Sequence, residues 1–257
     1  MTPADGALVV ENVTKRFGGL VAVSRVSIGL PPGRITAMIG PNGAGKTTLF
    51  NIISGLLPAT EGRVFFAGRD ITGWPPHRIA GLGLARTFQN VQLFANLNAL
   101  ENVMAARYCR TRSGFLAAVF SLPRDRAERR RMREAAEEYL RWVGLSEKQF
   151  FMPSELPYGD QRRLEIARAL ATEPRVIMLD EPSAGMVPGE ARALMDLIGR
   201  LKERGLTVFL IEHNMSVVMG ISDRVVVLNF GERIAEGTPA EVRADRGVVE
   251  AYLGAEA

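Results

Sequence analysis

The run Gly40-Pro41-Asn42-Gly43-Ala44-Gly45-Lys46-Thr47 limits what this chain can fold into more than any other stretch. It fits the pattern GxxxxGK[ST], and its setting matters as much as its letters. Arg34 to Ile39 enters it as a short apolar strand, and Lys46 to Ser54 leaves it as a helix closed by Gly55. Glycines permit backbone angles that turn several N–H groups inward as an anion nest, and the helix start adds its positive end. In such a loop Lys46 reaches the β- and γ-phosphates of a nucleotide, and the Thr47 hydroxyl can ligate Mg²⁺. Thr48 completes the cradle. A strand, loop and helix of this kind need a parallel sheet around them.

The remaining strands are present. Val176 to Leu179, Thr207 to Ile211 and Val225 to Leu228 are almost continuously apolar, as a sheet buried on both faces requires. The helix Gly189 to Glu203 lies between the first two, a right-handed β–α–β unit. Leu8 to Val13 and Val21 to Leu30 read as earlier strands, with alternation broken near Ser24 and Arg25, and Gly62 to Phe66 as another. Residues 99–172 are mostly helical in pattern, including Ala127 to Val143, which Gly144 ends. The expectation is one α/β domain over 1–257: a parallel core, N-terminal antiparallel strands, and a helical subdomain inserted at about 99–172.

Composition narrows the setting. Cys109 is the only cysteine, so no internal disulfide can form, which suits a reducing compartment. Met1 to Arg16 carries no secretory pattern. The longest apolar candidate, Phe115 to Phe120, is far short of the roughly 18 residues that span a bilayer. Other chains must therefore hold this one at any membrane. Six arginines lie between Arg124 and Arg133, interleaved with Asp125 and Glu128. A solvated helix face is the favoured reading, with anionic lipid or a membrane partner as the alternative. No aromatic side chains are interleaved there to stack bases, so nucleic acid is not expected.

The strand Val176 to Leu179 delivers Asp180 and Glu181 at its C-terminal end, where open α/β sheets bind ligands. Beside a phosphate loop, Asp180 is the natural Mg²⁺ partner, and Glu181 can orient and polarise an attacking water. Alone, Gln89 carries no signal, His213 reads as a polar residue at a strand end, and Phe17 has plain core as its bland reading beside the favoured one, a stacking surface.

These residues, taken together, resemble the ABC ATPase family over nearly the whole chain. The resemblance adds Gln89 in Arg86-Thr87-Phe88-Gln89-Asn90, the segment Leu156-Pro157-Tyr158-Gly159-Asp160-Gln161, and His213 in Ile211-Glu212-His213-Asn214. It implies an ATPase. Gln89 would sense Mg²⁺ and the attacking water, His213 would contact the γ-phosphate, and Phe17 would stack on adenine. Tyr158, Gly159 and Asp160 would form the signature that closes on ATP held by a second ATPase subunit, a non-identical one or another copy. The further partners implied are two transmembrane permeases and a periplasmic or extracellular binding protein. The chain would sit peripherally on the cytoplasmic face of the inner or plasma membrane.

Two stretches depart from the family pattern. The usual L-S-G-G-Q has proline at 157, tyrosine at 158 and aspartate at 160. The loop after Glu181 reads Ser183-Ala184-Gly185-Met186, where the family usually ends in aspartate. Within the family, Tyr158 to Arg168, Ile211 to Met215, Val218 to Val225 and the tail Glu236-Gly237-Thr238-Pro239 with Ala251-Tyr252-Leu253-Gly254 resemble one of the two ATPases of branched-chain amino-acid importers. The basic insertion around Gly114 to Arg133 fits that type too. Urea or short-amide importers, the lipopolysaccharide-export ATPase and soluble non-transport ABC ATPases are the alternatives.

Overall fold

The computed structural model describes residues 7–108 and 123–253. A long hairpin, β1 (Leu8–Phe17) and β2 (Leu20–Leu30), opens the chain. The broken alternation near Ser24 and Arg25 is a bulge rather than an end. Pairing steps from Val13↔Val26 to Lys15↔Val23, Arg25 takes φ 47°, and its N–H donates to Thr14 Oγ1 at 3.1 Å. Next come β3 (Ile35–Ile39), α1 (Lys46–Ile53), β4 (Glu61–Phe66), β5 (Arg69–Asp70), α2 (Pro76–Leu82) and β6 (Leu84–Arg86). The helices α3 (Ala99–Arg107), α4 (Pro123–Trp142) and α5 (Tyr158–Ala171) precede β7 (Val176–Asp180), α6 (Pro188–Glu203), β8 (Thr207–Ile211) and α7 (Met215–Ile221). The chain returns through β9 (Arg224–Asn229) and β10 (Glu232–Gly237) to α8 (Pro239–Ala244) and α9 (Arg246–Leu253).

Two sheets result. One is antiparallel in the order β2-β1-β4-β5. The other runs β10-β9-β3-β8-β7-β6, parallel except for β10. This is the expected α/β architecture, with a parallel core and an N-terminal antiparallel sheet. β3, β7 and β8 are buried at every position. Successive residues feed opposite cores, because side chains alternate across a strand. Ile177, Leu179, Val208 and Leu210 face the helices α3, α4, α5 and α6, whereas Val176, Met178, Phe209 and Ile211 face α1 and the antiparallel sheet. Each such side chain contributes about 1.5–3 kcal/mol through burial. A third core places Ala37, Ile39, Val225 and Val227 against α7, α8 and α9.

In α4, Arg130 pairs with Glu134 at 2.7 Å and Arg133 with Glu137 at 2.9 Å, all on exposed or half-exposed surface, as a solvated helix face requires. Cys109, Phe115 to Phe120 and the part of the basic insertion from Gly114 to residue 122 lie outside the described residues. Among the described residues no helix is long and apolar enough to cross a membrane.

Candidate functional site

The phosphate loop leaves the C-terminal end of β3 at the centre of the parallel sheet. Gly40 takes φ 150°, Gly43 79° and Gly45 95°. A Cβ on Gly40 would lie 2.0 Å from Leu228 O, and one on Gly45 2.4 Å from Ala22 O, so only glycine lets this loop seat between β9 and β2. Gly45 is the N-cap of α1 and offers no side chain to its N–H groups, and no acidic residue stands in the first turn. Those donors are left for an external anion.

Lys46 is buried, 6% exposed, and donates to Gly40 O at 2.6 Å and Pro41 O at 2.9 Å. Burial pushes its pKa down, with Glu181 and Asp180 pulling the other way. Ala44 is buried, Pro41 and Thr48 are half-buried, and Asn42, Gly43 and Thr47 are exposed. An uncapped helix start, a glycine nest and a desolvated lysine beside two carboxylates fit a nucleotide polyphosphate. Among the described residues no group of three His, Cys, Asp or Glu could hold a metal unaided. Mg²⁺ bound by one or two protein oxygens and substrate phosphates needs no such group.

At the end of β7 the two carboxylates diverge. Asp180 is 2% exposed and ion-pairs with Arg86 at 3.0 Å. Burial raises its pKa, and Arg86 opposes that rise. Arg86 also donates to Asn51 Oδ1 and Ser54 Oγ, both at 2.8 Å, which ties β6 and α1 to the same carboxylate. Glu181 turns the other way. Its φ of 46° is a left-handed conformation that costs a non-glycine residue about 1–3 kcal/mol. The turn delivers its carboxylate to two donors. Gln89 Nε2 lies 2.9 Å from Oε2, and His213 Nε2 lies 2.6 Å from Oε1. Three residues separated by up to 124 positions in sequence thus meet at one carboxylate. Behind them, the buried Glu212 accepts from the Ser183 N–H at 3.0 Å, Ser183 Oγ at 2.5 Å and the His213 N–H at 3.1 Å. It fixes the loop after Glu181 to the strand that carries His213.

Phe17 is not core. It is 47% exposed at the end of β1, with Lys15 Nζ 5.1 Å from its ring centroid. The segment Tyr158-Gly159-Asp160 opens α5. Tyr158 is 40% exposed, and its hydroxyl accepts from Arg162 Nε at 3.1 Å. Gly159 packs against Glu190, whose carboxylate would lie 3.2 Å from an added Cβ. Asp160 is turned inward, onto Lys148 at 2.5 Å and Arg163 at 3.7 Å. The negative charge that the altered signature brings is therefore neutralised within the chain and does not face outward.

Sequence reasoning did not single out Arg86, Glu212, Arg162 or Glu165. The first two stand beside quoted motif residues, and a charge set in or at the end of an apolar strand was the available signal. Arg162 and Glu165 lie in the quoted run after the signature and carried no signal beyond their burial in the fold.

The family model described as "ABC transporter" matches residues 23–184, and one described as "Branched-chain amino acid ATP-binding cassette transporter" matches residues 232–257. The chain is 46% identical over 248 residues to the high-affinity branched-chain amino acid transport ATP-binding protein BraF of Pseudomonas aeruginosa, across 96% of this chain and 97% of that protein. It is 42% identical to the corresponding protein LivG of Escherichia coli K12, with the same coverage. Among solved structures, the ADP conformation of MJ1267, an ATP-binding cassette of an ABC transporter, superposes with a TM-score of 0.84 at 36% identity, covering 96% of this chain and 98% of that one. The dimeric cassette MJ0796 superposes with a TM-score of 0.76 at 27% identity, covering 90% and 98%.

Proposed function

This chain belongs to the ATP-binding cassettes of ABC transporters, and from that premise we propose that it hydrolyses ATP to drive an importer for branched-chain amino acids. The observation that carries the chemistry is the Glu181 carboxylate, held between Gln89 and His213 at the strand end beside an open phosphate loop. The cargo rests on the likeness to BraF and LivG and on the match over residues 232–257.

In this account ATP lays its adenine on Phe17 and its phosphates in the loop from Gly40 to Thr48. Mg²⁺ would be held by Thr47 and Asp180, with Gln89 as a further oxygen donor, and would neutralise charge on the phosphate oxygens. Glu181 orients the attacking water and accepts its proton. Gln89 and His213 keep that carboxylate in place, and His213 would contact the γ-phosphate. Phosphoryl transfer asks mainly for positioning and charge stabilisation, which loops on a rigid buried sheet supply. Replacing Phe17 with alanine is expected to weaken ATP binding about tenfold, from roughly 1–3 kcal/mol for a base stacked on an aromatic ring. Phe17→Tyr should retain it, and titration with a fluorescent ATP analogue would show the difference.

Two such subunits close over two nucleotides, each signature facing the other's ATP. ATP drives closure by binding the closed state better than the open one. The segment from Gln89 to Asn102 passes the movement to the permeases. It borders a groove of about 560 Å³ lined by Leu56, Ile79, Phe88, Leu93 and Phe94, which suits an apolar segment of a membrane partner. Pro157 stands exposed at the N-cap of α5 and lacks both the N–H and the hydroxyl of the usual serine. Turnover should therefore be slower when this signature pairs with itself than in a mixed dimer with a standard partner. Equal rates for the two assemblies would count against that.

Uptake into proteoliposomes tests the cargo. The assembled importer should accumulate leucine, isoleucine and valine in an ATP-dependent manner. Transport of urea or short amides instead, or export of lipopolysaccharide, would contradict it.

A further inference from the structure

The face of α5 turned toward Gln89 carries an arrangement that the hydrolytic site does not itself use. Tyr158, Arg162, Glu165 and Arg168 recur at intervals of four, three and three residues, so they lie along one side of the helix. Arg162 and Glu165 are among the most buried charges described, with side chains 2% and 7% exposed, and they pair at 3.1 Å. Burying such a pair is costly unless the remaining donors and acceptors are satisfied. Here they are satisfied by the backbone of the segment that carries Gln89. Arg162 Nη1 donates to Phe88 O at 2.9 Å, and Nη2 donates to Gln89 O. Glu165 Oε1 accepts from the Phe88 N–H at 3.3 Å. Arg168 donates to Gln92 O and lies 4.8 Å from the Phe94 ring centroid. At the other end, Arg162 Nε donates to the Tyr158 hydroxyl at 3.1 Å.

We propose that Arg162, paired with Glu165, is a positioning residue that ties the signature at Tyr158 to the Gln89 side chain on Glu181. The guanidinium fork makes this a two-point grip on consecutive carbonyls, which an ammonium could not reproduce. When Tyr158 and Gly159 engage the partner's nucleotide, any rotation of α5 is transmitted through Arg162 to residues 88–89. From there it reaches the carboxylate of the chain's own site. Each subunit thus adjusts its own Glu181 according to whether its signature is engaged. The coupling rests on the function proposed above, but the tether itself does not.

The test uses the full-length chain with two variants. The double substitution Arg162→Met with Glu165→Leu removes both buried charges together, an exchange that folds commonly tolerate. Arg162→Lys keeps the charge and loses the fork. In the nucleotide-free protein, amide exchange at residues 88–92 should rise about tenfold or more in the double variant and by less in Arg162→Lys, with residues 40–47 unchanged. Across an assembled dimer, kcat should fall about tenfold or more and the Hill coefficient for ATP approach one, while the ATP dissociation constant of the isolated chain stays within about twofold. Unchanged exchange at 88–92, or an equal rise at 40–47, would overturn the tether. So would full turnover with intact cooperativity in the folded double variant. A wild-type protein without turnover would sink the proposed function alone, because the exchange measurement reads the tether without hydrolysis.

Discussion

Glu181→Gln is expected to slow ATP turnover by about 10²–10⁴-fold, the range for loss of a positioned general base, while leaving ATP binding intact. The amide is nearly isosteric, so the left-handed turn at 181 and the packing around it need not change. Its oxygen can still accept from Gln89. What disappears is the negative charge that accepts a proton from water, together with the acceptor 2.6 Å from His213 Nε2. The glycine loop and the Lys46 hydrogen bonds to Gly40 O and Pro41 O do not involve the Glu181 side chain, so the phosphate cradle is kept. Binding without hydrolysis should therefore trap the closed, ATP-bound dimer, and sedimentation in the presence of Mg-ATP would reveal it. Wild-type phosphate release by the variant would remove Glu181 from the chemistry and leave the left-handed turn without a function.

Lys46→Met should weaken ATP binding about tenfold to a hundredfold, because a charge-assisted contact to phosphate contributes roughly 1.5–3 kcal/mol. Methionine matches the aliphatic stem, so the core beneath α1 stays filled. A pH dependence accompanies the effect. Burial lowers the Lys46 pKa in the free protein, and the bound phosphates raise it again. Nucleotide binding therefore takes up a proton at alkaline pH, and affinity falls as pH rises above the lowered value. The stability of the nucleotide-free fold moves in the opposite direction. Between the folded and unfolded pKa values the unfolded chain holds more protons, so this lysine's contribution to stability is present above the ordinary lysine pKa and is lost as pH falls through the lowered one. Calorimetric titration in buffers of different ionisation enthalpy measures the proton uptake. Lys46→Met should abolish it.

The parallel sheet was readable because burial on both faces leaves a plain mark. Val176 to Leu179, Thr207 to Ile211 and Val225 to Leu228 are nearly unbroken apolar runs, and all three are strands of one sheet. The short or polar elements left no such mark. β5 and β6 span two and three residues, and β10 exposes half of its length, so none shows a period. Of the candidate site, the phosphate loop was readable from local letters alone, because one continuous stretch makes it. The rest depends on where the fold brings a charge. Asp160 reads as part of the signature, and its side chain pairs with Lys148 and Arg163. Arg86 finds Asp180 94 positions away, and Arg162 finds the backbone of Phe88 and Gln89 more than 70 positions away. Sequence spacing carries no trace of such pairings. Phe17 reads as a stacking residue, with core as the bland alternative. Its 47% exposure follows from its place at the last position of β1, beyond the last buried pair of the hairpin.

Phosphate release from Mg-ATP by the purified wild-type protein, alone and assembled with the second ATPase and permeases proposed for it, tests the central claim most directly, with Glu181→Gln as the control. The account predicts steady release from the wild-type assembly, none without Mg²⁺, and near-complete loss in the variant. Tight ATP binding with no release from the full wild-type assembly would contradict it, because Glu181, Gln89 and His213 would then hold a carboxylate that does no hydrolytic work.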